Sequence, residues 1–117
     1  MKRSRQLLPA KDRSKTIVFL AAPSSQILDV AGPFQIFVRA AELLVQECPE
    51  RKAPYDVVMA STTRSTSVTT NCGLMLTGSE TFRTLRGPID TLLVAGGSGV
   101  ETASRDAELL LWRKKKR

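Results

Sequence analysis

The chain has 117 residues, 42% of them hydrophobic and 25% charged, which is the length of one ordinary domain and excludes a wholly disordered or fibrous polypeptide. It has no histidine, so Ser-His-Asp and Cys-His catalysis within the chain are excluded, as is any zinc site that needs an imidazole. The net charge of +7 belongs to the ends: residues 1–15 hold six basic side chains against Asp12 and residues 113–117 hold five, whereas residues 16–112 hold seven basic and ten acidic side chains.

Residues 1–15 mix charge, serine and one proline without periodicity, and read as a disordered basic leader. They lack the apolar stretch of a signal peptide. No segment approaches the run of about 18 apolar residues that a membrane span requires. The basic ends read as solvated tails, since a nucleic-acid reader would spread its charge over a folded face or interleave aromatic residues. Direct nucleic-acid binding by the ends stays as a weaker alternative.

The ordered domain is expected over residues 16–112. Thr16 to Ala21 is an almost continuous apolar run, the pattern of a strand covered on both faces. After the turn Pro23-Ser24-Ser25, apolar residues recur at Val30, Phe34, Phe37, Val38, Ala41, Leu44 and Val45, one stripe of a helix. Pro33 fits its first turn with Gly32 as the cap, and Pro49 should end it near Cys48. Tyr55 to Ala60 is a second strand. Val68–Thr70 and Leu74–Leu76 flank the turn signal Asn71-Cys72-Gly73 and predict a small hairpin. Glu80 to Leu85 is expected to form a short helical turn, closed by Gly87-Pro88. Asp90 to Ala95 is a third buried strand, running straight into Gly96-Gly97-Ser98-Gly99. A last helix should be capped by Asp106, with Glu108 in its first turn and basic residues at its end, an order that complements the helix dipole. Trp112 should pack this helix on the sheet, and residues 113–117 form a basic tail. The order of elements predicts an α/β domain with a parallel sheet.

In such a sheet the crevice lies beyond the carboxyl ends of the strands, so the segments after Ala21 and Ala95 should share an edge and bring Asp29 near the glycine turn. The glycines are either a sharp turn or a set of unobstructed amides able to bind an anion or oxyanion. Their spacing fits neither the dinucleotide fingerprint nor the phosphate-binding lysine loop. Asp29, set among Ile27, Leu28, Val30 and Ala31, is either a helix cap or a carboxylate available for proton transfer and hydrogen bonding. Ser98 has no base beside it. Cys72, without a nearby basic neighbour, reads as an incidental thiol rather than a nucleophile, and Cys48 as a helix end. Two cysteines cannot make a four-thiolate metal site, and they suit a reducing, cytoplasmic setting. No metal or cofactor is called for.

Three segments together, Ile17–Ala22, Ile27-Leu28-Asp29-Val30-Ala31-Gly32-Pro33-Phe34 and Asp90–Gly97, resemble the amidase-like N-terminal domain of AraC-type transcriptional regulators. That domain is a branch of the ThiJ/PfpI, class I glutamine amidotransferase-like, superfamily. The resemblance runs from about Thr16 to Trp112. It implies a flavodoxin-like three-layer sandwich with a mostly parallel sheet, incomplete at the C-terminus of this chain. It also implies a small-metabolite sensor, often for nitrogen-containing compounds, that dimerises and reads DNA only through a C-terminal helix-turn-helix region absent here. Asp29, Gly96, Gly97 and Ser98 would bind the ligand. In superfamily enzymes a carboxylate matching Asp29 sits beside a nucleophilic cysteine on a later strand-to-helix turn. Neither Cys48 nor Cys72 matches that cysteine, so no catalytic residue is assigned. The basic ending suggests a truncation, an engineered boundary or a frameshifted remnant. A fragment of a cysteine-dependent hydrolase or hydratase of the ThiJ/PfpI type is the alternative.

Overall fold

Apolar runs without alternation call for cover on both faces, which the structure gives to residues 16–21 and 58–61. Residues 91–94, expected to be part of a third buried strand, are instead half-buried to exposed because they lie at the edge of the sheet. The computed structural model describes residues 14–50, 54–99, 101 and 105–115. In chain order its elements are β1 (Lys15–Ala21), α1 (Ile27–Glu47), β2 (Tyr55–Ser61), β3 (Ser67–Thr69), β4 (Met75–Thr77), β5 (Glu80–Thr81), β6 (Thr91–Val94) and α2 (Ala107–Lys115). The main sheet has the order β5-β2-β1-β6 and every pair in it is parallel. β3 and β4 form a separate antiparallel hairpin, with Val68 opposite Leu76.

Successive side chains of a strand point to opposite faces, and β1 divides its residues accordingly. Ile17, Phe19 and Ala21 join Val30, Met59, Val68 and Ala95 in one buried cluster, against which Phe34 and Phe37 of α1 pack. Val18 and Leu20 join Val58, Ala60, Phe82, Leu85 and Leu109 in the other, closed by Trp112 of α2. The result is three layers, helix on sheet on helix. Each large apolar side chain removed from water contributes about 1.5–3 kcal/mol, so the two clusters are the main stabilisers of the domain. Aromatic edges refine them: Phe19 meets Phe34 at 5.5 Å, and Phe82 meets Trp112 edge-on at 5.8 Å between centroids.

Several expectations need correction. The helix α1 starts at Ile27 with Gln26 at its cap, so Pro33 lies inside it and Gly32 is an interior residue. The early start follows from tertiary contact, because Gln26 N–H donates to Gly96 O at 2.9 Å and fixes the first turn to the sheet edge. Proline at 33 has no N–H to offer the carbonyl four residues back, which belongs to Asp29. Glu80–Thr81 is a short strand rather than the start of a helical turn, since the free edge of β2 offers a ladder at Ala60 and Ser61 that a β-branched threonine suits. Only the turn that follows, where Leu85 N–H donates to Thr81 O at 3.2 Å, matches the helical expectation.

At the chain ends, β1 opens at Lys15, one residue inside the expected leader, and residues 1–13 lie outside the described residues. The expected tail begins as helix, because α2 continues through Lys115, while 116–117 lie outside the described residues. The predicted cap of α2 is present: Asp106 Oδ1 accepts from Glu108 N–H at 3.0 Å and from Leu109 N–H at 3.2 Å. Among the described residues no helix is long and apolar enough to cross a membrane.

Candidate functional site

The carboxyl ends of β1 and β6 lie side by side, because Leu20 pairs with Val94 at the end of that ladder. Directly beyond them the chain segments 22–29 and 95–99 meet. Asp29 stands in the first turn of α1, where the helix dipole favours a carboxylate. Its Oδ2 accepts a hydrogen bond from Gly96 N–H at 3.2 Å. The carboxylate is therefore not a helix cap. It is exposed and reaches across to the glycine turn.

The glycine turn is shaped by close approach. Ser25 and Gly97 form an isolated antiparallel bridge. Gly97 has φ +132°, a conformation that side chains rarely adopt, and a Cβ there would stand 2.4 Å from Ser24 O and 2.9 Å from Ser25 Cα. At Gly96 a Cβ would stand 2.9 Å from Asp29 Oδ2 and obstruct the carboxylate. Glycine at 97 is a packing requirement of this corner, whereas at 96 an added Cβ would only displace the exposed Asp29 carboxylate.

Ser25, which the sequence suggested only as a turn residue, holds the corner from inside. It is fully buried, its hydroxyl donates to Ala22 O at 2.6 Å, and the same oxygen accepts from Ala22 N–H at 3.1 Å. Its carbonyl accepts from Asn71 N–H at 3.0 Å, while Ser24 N–H donates to Thr69 O at 2.8 Å. The hairpin β3–β4 is thereby fastened to the site. Ser24 has φ +66°, an uncommon conformation for a residue with a side chain.

Ser98 does not join Asp29 directly. It lines a neighbouring cleft of about 600 Å³ at the same sheet edge, together with Pro23, Thr62, Arg64, Arg83 and Arg105. Asp29, Gly96 and Gly97 are not part of that lining. The structure thus divides the four predicted residues between a carboxylate–glycine contact and an arginine-rich cleft beside it. The arginines carried no signal in the sequence, because they stand far apart along the chain on three separate loops.

The two thiols lie elsewhere. Cys48 follows α1 at the end opposite Asp29, about 28 Å away at the 1.5 Å rise of a helix. Cys72 is exposed in the hairpin turn, with Thr70 Oγ1 3.4 Å from its sulfur. Hydrogen bonding by the Thr70 hydroxyl, and then by the Leu74 backbone, holds this thiol below its ordinary value. Among the described residues no cluster of three or more potential metal ligands occurs.

No protein-family profile matches the chain, and no curated protein matches it in sequence. Solved structures do match. A ThiJ/PfpI family protein from Pseudomonas syringae aligns at TM-score 0.69 and 22% identity, over 88% of this chain and 38% of that one. Oxidised DJ-1 from Toxoplasma gondii aligns at TM-score 0.67 and 17% identity, over 87% and 50%. A DJ-1 superfamily protein from Salmonella typhimurium aligns at TM-score 0.67 and 14% identity, over 87% and 49%. An AraC family transcriptional regulator from Pseudomonas putida aligns at TM-score 0.49 and 18% identity, over 71% and 47%, a likeness too low to separate a regulator from an enzyme of this fold. The chain has the flavodoxin-like α/β fold of DJ-1 and ThiJ/PfpI proteins, and it spans about half, or less, of the length of those solved structures.

Proposed function

We propose that the chain is the front part of a small-molecule-sensing domain of an AraC-type transcriptional regulator, without catalysis of its own. The observation that carries the reading is the contact between Asp29 and Gly96. It joins in space two of the three segments that carry the resemblance, Ile27–Phe34, whose Leu28–Pro33 is the part particular to that branch, and Asp90–Gly97, whose glycine turn is common to the superfamily. An exposed carboxylate can accept hydrogen bonds from a donor group of a metabolite, and amides around Gly97 can donate to an acceptor group. Ligand occupancy would be passed, through a homodimer, to a helix-turn-helix region outside this chain by shifting a conformational equilibrium. A reducing, cytoplasmic setting suits that role.

The coding sequence beyond Arg117 tests this reading. Paired helix-turn-helix segments support it, and in the longer protein Asp29→Asn should abolish the effect of ligand on DNA binding. A chain that closes soon after a cysteine-bearing strand-to-helix turn overturns it in favour of a hydrolase or hydratase. The second reading is kept because an acidic residue in the position of Asp29 serves both roles and the fold is common to both.

A further inference from the structure

We propose that the cleft beside the Asp29–Gly96 contact binds the oxyanion group, phosphate or carboxylate, of a small metabolite, with Arg64 as its principal ligand. The proposal rests on the sensing-domain reading and names the class of molecule sensed. Three guanidinium groups reach one cleft from separate places: Arg64 after β2, Arg83 after β5, and Arg105 before α2. Like charges gathered in one depression repel each other unless a negative group lies between them. The neighbouring acidic residues compensate unevenly. Arg83 Nε donates to Glu108 Oε2, and Arg105 Nη2 pairs with Glu101 Oε1 at 2.9 Å. Asp106 also lines the cleft, but its Oδ1 is engaged by the first amides of α2. For Arg64, which is exposed, the described residues supply no acidic partner.

The geometry fits a small ligand rather than a macromolecule. A volume of about 600 Å³ lies within the range of metabolite pockets, and a guanidinium presents a planar fork that matches a carboxylate or phosphate with two parallel hydrogen bonds. The Arg105–Glu101 pair is exposed on both sides and such pairs are weak, so a bound anion can recruit Arg105 from it. Half-buried Arg83 is held over the Phe82 ring and contributes its charge from the wall of the cleft. Hydroxyl groups of Ser24, Thr62 and Ser98 share the lining and offer donors to further anion oxygens.

Calorimetric titration of the 117-residue chain with inorganic phosphate and, separately, with succinate, at fixed ionic strength in chloride, tests this. Saturable binding of at least one anion is expected, weakened about tenfold or more by Arg64→Gln, the loss expected for a charge-assisted hydrogen bond. Arg64→Lys should bind with intermediate strength, since it keeps the charge and loses the fork. Arg39→Gln, on the outer face of α1 and paired with Glu42, should bind as the parent does. Preference for phosphate assigns a phosphorylated ligand, and preference for succinate a carboxylate. Absence of saturable binding by either anion, or equal binding by Arg64→Gln, overturns the proposal. The regulator reading fails separately: a chain that binds the anion but whose gene encodes no helix-turn-helix region keeps the site and loses the regulator.

Discussion

Replacing Gly97 with alanine should be among the most damaging single-methyl additions this chain can receive. The new Cβ would lie 2.4 Å from Ser24 O and 2.9 Å from Ser25 Cα, so both clashes are with backbone. Neither can yield by a rotamer change, because Ser24 is tied to Thr69 O and Ser25 is fully buried. Holding alanine at φ +132° costs about 1–3 kcal/mol, and loosening the bridge to Ser25 forfeits about one hydrogen bond, ~1 kcal/mol. The expected loss is therefore about 2–4 kcal/mol, a large share of the ~5–15 kcal/mol available to a small domain. Two further glycines calibrate it. Gly73 has φ +91° with no atom within 4 Å of an added Cβ, so Gly73→Ala should show the backbone strain alone, about 1–2 kcal/mol. Gly32, interior to α1 and equally open, should gain about 1 kcal/mol as alanine through helix propensity. Urea unfolding followed by far-ultraviolet circular dichroism gives all four midpoints. A Gly97→Ala midpoint equal to that of the parent, or below it by no more than the Gly73→Ala shift, would refute the argument from close approach.

Two other outcomes are expected. Asp106→Ala should remove the cap of α2, lowering stability by about 1 kcal/mol and speeding hydrogen exchange at the Glu108 and Leu109 amides; unchanged exchange there would show that the cap is dispensable. Alkylation of Cys72 should reach half its maximal rate below the ordinary thiol value. The first cause is the hydrogen bond with the Thr70 hydroxyl, whose oxygen lies 3.4 Å from the sulfur. Thr70→Val should move that midpoint up, and a pH–rate profile that does not move would remove Thr70 as the cause.

What the sequence made legible were features whose cause is local. β1 and β2 were readable because burial on both faces leaves an unbroken apolar run, and β6 because half-buried Leu93 and Leu92 pack one on each cluster even at the sheet edge. The α2 cap was readable because an aspartate two and three residues before its amides has one geometry available. Features with a distant cause were not. The start of α1 is set by Gly96, dozens of residues away, and the strand at Glu80–Thr81 exists only because β2 presents a free edge. The site divides along the same line. Asp29 and the glycines could be brought together from strand order alone, whereas the convergence of Arg64, Arg83 and Arg105 depends on how three loops bend back over the sheet, which no spacing in the sequence encodes.

The corner at Pro23–Gln26 carries a consequence for how the molecule opens. Its backbone is held at once by Thr69 and Asn71 from the hairpin and by Gly96 from the glycine turn. Loop closures of this span are late events in folding, since their entropy must be met before the contacts form. In the native state the same connectivity ties solvent exchange at these amides together. Fraying of any single segment leaves the corner shut, and the amides of Ser24, Gln26 and Asn71 become accessible as one cooperative unit rather than one by one.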